Sequence, residues 1–574
     1  MPRNAGVWAA GLAAAVALCY LNSLRTPFLL DDPINIAKNP IIQNPLSLTH
    51  LLLDPRAAIT VSLRLNYAAS ALDVTSYHLL NIAAHIVAGW LLFALATMTL
   101  RLPVFEERYE NVAEPLAATI AAIFLLHPVQ IESATYIIQR AEIFVGAALV
   151  AALVALVAAD AAVSGSRRGA LLLLTAACVV GAYSKPSFAV APVLLLVYDV
   201  CFLARGRIDA IRRKWPAYAI ATAAALWTFV LSKHSGSFSD KTAGFSIEGI
   251  DPWQYFSAQF GVIVAYLRVV LWPNALCFDC GYKGAWPVAG SMLDGVALPA
   301  GILAALALAA LALWRSYPLA TFAVIGSAVA LAPTSSFVPL SDFYVEHRMY
   351  LPVAFMALAL VPAVFDGTAA LAARAGLSDA AARGMRRTLA VLVLVALALL
   401  TVQRNNVFAD PMRLLLDTTA RAPQNERAQY NLANEYKRRG EQDKAIERYK
   451  EAIRIAPHVV RSYMNLGGIY LVQQRYEEAL QVFLDGSRNV PGVAMAHRNV
   501  AVACARLGRN QESLEAAQRS LDLEPANTNG HSLKAEALEQ LGRRDEAIAE
   551  YEKVLELAPG QPEVTKRLER LRGR

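Results

Sequence analysis

Two adjacent carboxylates follow the first hydrophobic stretch of this chain. Asp31 and Asp32 lie in segment 26–35, directly after an apolar run that ends near residue 24. An ionised group at a membrane boundary is costly, so acids in this position are expected to serve a function. A positioned carboxylate can accept the proton of a hydroxyl group and make it a nucleophile. Asp31 and Asp32 are therefore the candidate catalytic acids, with Asp32 preferred as the base. Capping a short helix before Pro33 is the alternative role.

Further polar clusters stand beside apolar segments at residues 56–85, 127–142, 184–186 and 344–352. Arginine and lysine bind phosphate through charge-assisted hydrogen bonds, so Arg140, Lys185 and Arg348 are candidates to hold an anionic ligand. The residues expected to support the site are Arg56, Asn66, His78, His127, Glu132, Glu346, His347 and Tyr350. Two structural ion pairs, Glu132 with Arg140 and Glu346 with Arg348, are the alternative for four of these residues.

The sequence gives little support for a bound metal. His78 and His85 share a helix face, but no third ligand stands close to them in the sequence. Cys277 and Cys280 are the one close cysteine pair, which favours a local disulfide or two free thiols over a zinc site. No cofactor is required by these residues, although a divalent cation could assist.

Membrane helices must position these clusters. Hydrophobic residues make up 56% of the 574 residues, and the mean hydropathy of +0.39 is too high for an ordinary soluble protein. The predicted spans are 5–24, 78–100, 115–127, 141–160, 170–184, 187–203, 216–232, 295–314, 317–333, 350–371 and 388–403. Segment 256–272 is ambiguous and is left outside the membrane. With a cytoplasmic N-terminus, eleven spans place 15 basic residues in short cytoplasmic connections and all five polar clusters on the opposite face.

The chain changes character after residue 403. Residues 404–574 hold 27 basic and 24 acidic residues. This is about as many charged residues as the first 403 residues hold. Prolines recur every 34 residues, at 423, 457, 491, 525 and 559, a period typical of tetratricopeptide helix pairs. We therefore predict an all-α protein: a polytopic membrane domain over 1–403, a linker helix over 404–423, and an α-solenoid of four repeats plus a capping helix over 424–574. Asparagines predicted to contact an acceptor in the solenoid groove are Asn431, Asn434, Asn465 and Asn499.

The order of the motifs carries a family resemblance. The quoted residues are Asp31-Asp32, Asn66-Tyr67, His78, Asn81, His127-Pro128, Glu132, Arg140, Ser184-Lys185, Tyr198-Asp199 and 346–352, followed by the repeats. This pattern resembles the transmembrane and tetratricopeptide-repeat-containing (TMTC) proteins and their bacterial relatives. Two positions depart from the family pattern: Ala57 follows Arg56 where proline is usual, and Pro186 follows Lys185 where an acid is usual.

The resemblance implies a GT-C glycosyltransferase related to protein O-mannosyltransferases. Such an enzyme transfers a sugar, commonly mannose or another hexose, from a polyprenyl-phosphate donor to Ser or Thr hydroxyls outside the cytoplasm. It implies a multi-pass protein of the bacterial inner membrane, with the repeat domain in the periplasm engaging the acceptor protein.

Two other functions are compatible with the same residues. One is a non-enzymatic membrane scaffold whose repeats recruit partners for envelope assembly, and the other is a GT-C enzyme acting on a glycan or lipid acceptor. Nucleic acid is not an expected partner, because the net charge of +7 is modest for this length.

Overall fold

The computed structural model describes residues 5–45, 47–161, 166–235, 244, 251–281 and 293–573. These described residues are predominantly helical and include no β-strand. The chain divides into two compact units, Met1–Ala422 and Pro423–Arg574. Segment 404–423, the expected linker, comprises the end of a long helix and a separate helix, Pro411–Arg421, both in the first unit.

The described part of the first unit holds fourteen α-helices of eight residues or more. They are α1 (Ala5–Tyr20), α2 (Ala57–Ser70), α3 (Val74–Leu100), α4 (Ala113–Leu126), α5 (Arg140–Ala161), α6 (Ser166–Ala182), α7 (Ala191–Tyr198), α8 (Trp215–His234), α9 (Pro252–Leu271), α10 (Leu298–Ala312), α11 (Pro318–Leu331), α12 (Tyr350–Arg374), α13 (Asp379–Phe408) and α14 (Pro411–Arg421). Shorter helical turns between them are Leu21–Ser23, Pro33–Ala37, Pro40–Gln43, Leu48–Leu53, Pro103–Phe105, Glu110–Val112, Pro128–Gln130, Ile131–Thr135, Ile137–Gln139, Pro186–Val190, Asp199–Leu203, Ile208–Arg212, Leu293–Ala297 and Glu346–Met349.

Nine helical segments of the described chain are long and apolar enough to cross a membrane. A tenth arises if the bent pair Glu110–Leu126 and Pro128–Thr135 is one span. The predicted spans 170–184 and 317–333 correspond to the shorter helices α6 and α11. The all-α membrane domain is therefore confirmed.

Helix α9, in the segment left outside the membrane, is long and apolar enough to span. Its contacts show how it lies. Near its start the Tyr255 hydroxyl donates to the Thr334 carbonyl at 2.6 Å, just beyond the end of α11. Near its end the Val270 carbonyl lies 3.1 Å from His127 Nε2, just beyond the end of α4. Since Arg348 and Gln130 link those two helix ends to the start of α12, both ends of α9 lie on one face, and α9 runs along it.

Helix α4 is the centre of the membrane unit. It packs against α1, α3, α12 and α13. Small residues let helices approach closely in lipid, and α4 buries several alanines at these contacts: Ala113, Ala117, Ala118, Ala121 and Ala122. This close packing brings the polar turns that follow α4 next to the start of α12.

An ion cluster joins the C-terminal end of α5, the turn Asp199–Leu203 and the residue before the start of α8. Lys214 Nζ lies 2.9 Å from Asp199 Oδ1 and 3.0 Å from Asp160 Oδ1. Asp199 also accepts from the Tyr218 hydroxyl and, at 3.1 Å, from the Ala204 N–H. The buried Asp199 and Lys214 are thus paired, as burial requires, whereas the Asp160 side chain is 40% exposed.

The second unit has the predicted helix pairs. They are α15 (Glu426–Arg438), α16 (Gln442–Ile455), α17 (Val460–Val472), α18 (Tyr476–Asn489), α19 (Ala494–Arg506), α20 (Asn510–Leu523), α21 (Thr528–Gln540) and α22 (Arg544–Leu557), followed by α23 (Pro562–Arg572). The turn inside each pair needs a left-handed residue, at Gly440, Gln474, Gly508 and Gly542. The 34-residue register therefore fixes four repeats and a final helix.

Candidate active site

The two acids of the first loop have different surroundings. Asp32 is 0% exposed: its two carboxylate oxygens each accept a backbone N–H at 3.0 Å, from Leu29 and from Ile138. It precedes the turn Pro33–Ala37, yet its side chain does not cap that turn. Asp31 is exposed, and its backbone is held: its N–H lies 3.1 Å from the Tyr136 hydroxyl, and its carbonyl accepts from the Asn35 backbone at 3.0 Å and side chain at 2.9 Å. Asp32 therefore anchors residues 26–35, which we call the acid loop, to segment 136–140. Asp31 presents its carboxylate to solvent.

We expect Asp32 to make folding pH-dependent. Burial raises its pKa to about 7, although the two N–H donors and the Arg140 charge oppose this. The folded chain then retains a proton that the unfolded chain loses near its ordinary pKa of about 4, so the stabilising effect of this group falls as pH rises from about 4 to 7. Between pH 5 and pH 8, the melting temperature of the wild type should accordingly fall relative to that of Asp32→Asn, because asparagine does not titrate. Asp31→Asn is the matched control, and parallel pH profiles for Asp32→Asn and wild type would contradict the assignment.

Arg140, a predicted phosphate ligand, is 0% exposed and already engaged. Its guanidinium donates to Asn66 Oδ1 at 2.8 Å, to Ser62 Oγ at 3.1 Å and to the Tyr77 carbonyl at 3.2 Å. Asn66 in turn donates to the Ser76 carbonyl at 2.9 Å. Arg140 thus joins α2 and α3 to the start of α5.

Glu142 stands on the other side of the same helix. Residues two apart on an α-helix point about 200° apart, which separates Glu142 from Arg140. Glu142 Oε1 accepts a hydrogen bond from Lys185 Nζ and lies 3.8 Å from His347 Nε2. Two of the predicted phosphate ligands therefore lie on different sides of α5: Lys185 is beside Glu142, and Arg140 is on the other side.

Glu132 and His347 join the third polar cluster to the fifth. His347 Nδ1 lies 2.7 Å from Glu132 Oε1, and its backbone N–H donates to Glu132 Oε2 at 3.0 Å. The Glu132–Arg140 ion pair offered as an alternative is wrong, because the carboxylate of Glu132 is taken up by His347 and the guanidinium of Arg140 by its own partners. Together with Lys185 and Glu142, this pair links three clusters in one polar group.

Arg348 is buried and lines a small cleft of about 30 Å³. Its guanidinium donates to the carbonyls of Asp342 at 2.5 Å and Phe343 at 3.2 Å. The cleft has polar groups at Glu142, Ser187, Thr334 and Arg348, and it has apolar walls formed by Val145, Leu149, Val190, Ala330 and Leu351. Polar and apolar side chains therefore meet in this cleft.

Glu346 pairs with a residue that the sequence analysis did not select. Its carboxylate accepts from the Cys277 N–H and lies 3.5 Å from the Arg404 guanidinium, so the Glu346–Arg348 pair is also wrong. Arg404 further pairs with Asp417 at 2.7 Å. Glu142 and Arg404 are thus the residues missed: Glu142 stands inside a polar cluster, and Arg404 is the first charge after the last predicted span.

The other supporting residues are mostly structural. His78 Nε2 lies 2.8 Å from the Thr26 carbonyl and holds the start of the acid loop. His127 Nδ1 accepts the Val129 N–H at 3.2 Å. The Tyr350 hydroxyl lies 2.8 Å from His85 Nδ1, inside the core. Arg56 is exposed.

In the described part of the chain, no cluster of three or more His, Cys, Asp or Glu residues could hold a metal ion. Cys277 and Cys280 form a disulfide, one of the two states that the sequence left open.

The asparagines of the repeat unit are half-buried. Asn434 Oδ1 accepts from the Tyr449 hydroxyl at 2.5 Å and from Asn465 Nδ2 at 3.3 Å. Asn465 Nδ2 also donates to the Tyr430 hydroxyl at 3.0 Å. Asn431 and Asn499 occupy the same register as Asn465, one repeat before and one repeat after it.

Comparison with known proteins assigns the repeats. Residues 430–494 and 505–562 match the family described as tetratricopeptide repeat. Solved structures that resemble this region include the first TPR of Spaghetti (RPAP3) bound to an HSP90 peptide (26% identity, 20% of this chain and 90% of that chain, TM-score 0.20) and MamA from Desulfovibrio magneticus RS-1 (19% identity, 26% and 86%, TM-score 0.24).

Curated protein O-mannosyl-transferases resemble part of the chain. The chain is 30% identical to protein O-mannosyl-transferase Tmtc1 of Drosophila melanogaster over 151 residues, which cover 23% of this chain and 16% of that protein. It is 29% identical to protein O-mannosyl-transferase TMTC3 of Mus musculus, over 23% of this chain and 15% of that one. The match thus spans about one sixth of the length of these relatives. The chain is a TMTC-like protein in this sense: part of it resembles the protein O-mannosyl-transferases, and its C-terminal unit carries tetratricopeptide repeats.

Proposed function

We propose that this chain is an integral membrane glycosyltransferase. It transfers a sugar, mannose or another hexose, from a polyprenyl-phosphate donor to Ser or Thr hydroxyls of an extracytoplasmic polypeptide. The observation that supports this most is the acid loop: Asp32 is buried and anchored, and Asp31 is exposed beside it. The likeness to protein O-mannosyl-transferases agrees with it.

Asp31 is the proposed base, in place of Asp32. As the acceptor hydroxyl oxygen bonds to the anomeric carbon, its proton passes to the Asp31 carboxylate. The bond between that carbon and the phosphate oxygen breaks at the same time, and polyprenyl phosphate leaves with the electron pair. One displacement of this kind inverts the configuration at the anomeric carbon.

Lys185 and Arg348 are the proposed contacts of the leaving phosphate. Negative charge grows on that phosphate as the bond breaks, and positioned cations stabilise it in the transition state. Arg140 is assigned instead to joining α2 and α3 to the start of α5, because its hydrogen bonds among the described residues go to Ser62, Asn66 and the Tyr77 carbonyl.

The proposed topology has a cytoplasmic N-terminus in the bacterial inner membrane, with the site and the repeat unit on the periplasmic side. Because α9 runs along one face, it is not counted as a membrane span. This supports the odd number of spans that the proposed topology requires. The repeat unit engages the acceptor polypeptide.

The direct test is transfer in vitro. Purified protein is incubated with prenyl-phosphate mannose or prenyl-phosphate glucose and Ser/Thr-containing polypeptides, and products are read by mass spectrometry. A hexose on a Ser or Thr side chain is expected. A hexose found only on a glycan or lipid would replace the proposed acceptor, and no transfer from either donor would favour a scaffold.

Truncation before Pro423 should separate acceptor use from donor use. Since Met1–Ala422 is a compact unit of its own, the truncated protein should still bind the lipid donor. Transfer to a polypeptide should fall at least tenfold, whereas slow hydrolysis of the donor by water should persist. Equal loss of donor binding and transfer would indicate that the repeats are needed for folding.

A further inference from the structure

The segment that follows α9 carries the Cys277–Cys280 disulfide. Residues 272–280 form neither helix nor strand, so the regular hydrogen bonds of those elements do not fix them. The disulfide closes a short loop that includes Phe278, which we call the disulfide loop. The Cys277 N–H donates to the buried Glu346 carboxylate, and both cysteines are buried. The disulfide loop is thus held inside the membrane unit.

Phe278 lies between two other aromatic rings. Its ring centroid is 5.7 Å from that of Tyr136 and 5.8 Å from that of Phe408, both in edge-to-face geometry. Aromatic pairs in this arrangement attract each other beyond the burial of their surfaces. Phe408 is the last residue of α13, and Tyr136 lies in the connection between α4 and α5. Phe278 therefore joins the disulfide loop to Tyr136 and to the end of α13.

Tyr136 connects this contact to the acid loop. It is 3% exposed, and its hydroxyl oxygen accepts the Asp31 N–H at 3.1 Å. Two residues later the Ile138 N–H donates to Asp32. Because the Asp31 side chain is exposed, the direction of its carboxylate depends on how its backbone is held. A shift of the Phe278 ring would therefore move the backbone from which the Asp31 carboxylate extends.

We propose that Phe278, fixed by the disulfide, is a positioning residue for Asp31 and acts through Tyr136. Phe278 does not touch the reacting atoms. It keeps the Asp31 carboxylate where the acceptor hydroxyl arrives, and misplacing a reacting group by about 1 Å costs about 100-fold in rate. That this placement serves sugar transfer rests on the proposed function.

Hydrogen–deuterium exchange of the full chain in detergent tests the coupling without any sugar donor. In the double variant Cys277→Ser with Cys280→Ser, the amides of residues 29–38 should exchange about tenfold faster than in wild type, while α5 keeps its protection. Cys178→Ser with Cys201→Ser is the matched control, because it changes two buried free thiols. Faster exchange throughout the membrane unit, or an unchanged rate in residues 29–38, would overturn the positioning role.

Kinetics of transfer test the route through Tyr136. Phe278→Ala should lower kcat about 10- to 100-fold and leave the dissociation constant of the lipid donor unchanged, and Phe278→Tyr, which keeps the ring, should restore kcat. Tyr136→Phe removes the hydroxyl alone, so adding Phe278→Ala to it should lower kcat by no more than about twofold further. Phe337→Ala is the matched control, since Phe337 is 48% exposed and stacks on Phe256 instead.

Fully additive losses in Phe278→Ala and Tyr136→Phe, or an equal loss of donor binding, would contradict the route. Because the exchange experiment needs no donor, the two proposals fail separately. Absence of transfer by the wild type would reject the transferase, and an acid loop that does not respond to the disulfide would reject the positioning role.

Discussion

Asp31→Asn should lower the rate of sugar transfer by about 100- to 10,000-fold, the usual effect of removing a general base. The amide cannot take the acceptor proton, yet it is nearly equal in size to the carboxylate. Because Asp31 is exposed and its side chain carries no contact that the fold requires, the melting temperature and donor binding should stay near wild-type values. Single-turnover transfer from prenyl-phosphate sugar, with a donor-binding assay beside it, measures both quantities.

The variant Asp32→Asn distinguishes the role of Asp32 from that of Asp31. An amide has one acceptor oxygen, so the N–H of Leu29 or of Ile138 loses its partner and the loop loosens. We expect lower activity together with lower stability, whereas Asp31→Asn loses activity alone. Near-normal transfer by Asp31→Asn with a stable but inactive Asp32→Asn would return the base to Asp32. Near-normal transfer by both would remove the loop from the chemistry.

Arg404→Met should be the most destabilising change outside the acid loop. Arg404 is 5% exposed and Glu346 is 0% exposed, so the variant leaves a buried carboxylate without its cation. Breaking a buried pair in this way costs about 3–5 kcal/mol. We expect a clear fall in the melting temperature of the detergent-purified protein.

The double variant Glu346→Gln with Arg404→Met should recover part of that loss, because it removes the uncompensated charge. Arg421→Met is the matched control: Arg421 pairs with the same Asp417 but is 37% exposed, so its loss should cost no more than about 1 kcal/mol. Equal melting temperatures for the single and double variants would show that the pair is not coupled.

The clusters were predictable from sequence, but their pairings were not. Contacts join all five: Asp32 reaches Ile138, His78 reaches Thr26, Glu132 reaches His347 and Lys185 reaches Glu142. Each cluster is a polar run beside an apolar helix, which hydropathy displays directly. Which charge meets which depends instead on the rotation of each helix about its axis.

Glu346 and Arg348 illustrate this. In the tight turn Glu346–Met349, residues two apart point about 240° apart, so the two cannot face each other. The actual partner, Arg404, stands 58 residues away on a helix whose rotation no local pattern gives. The repeat unit was easier to predict, because a 34-residue period fixes each helix relative to its neighbours.

The pair formed by Asp199 and Lys214 bears on the order in which the membrane unit assembles. Asp199 is 0% exposed and is synthesised before Lys214, and a buried carboxylate without its cation is costly in lipid. The segment around Asp199 is therefore expected to reach its final position only once Lys214 is present to pair with it.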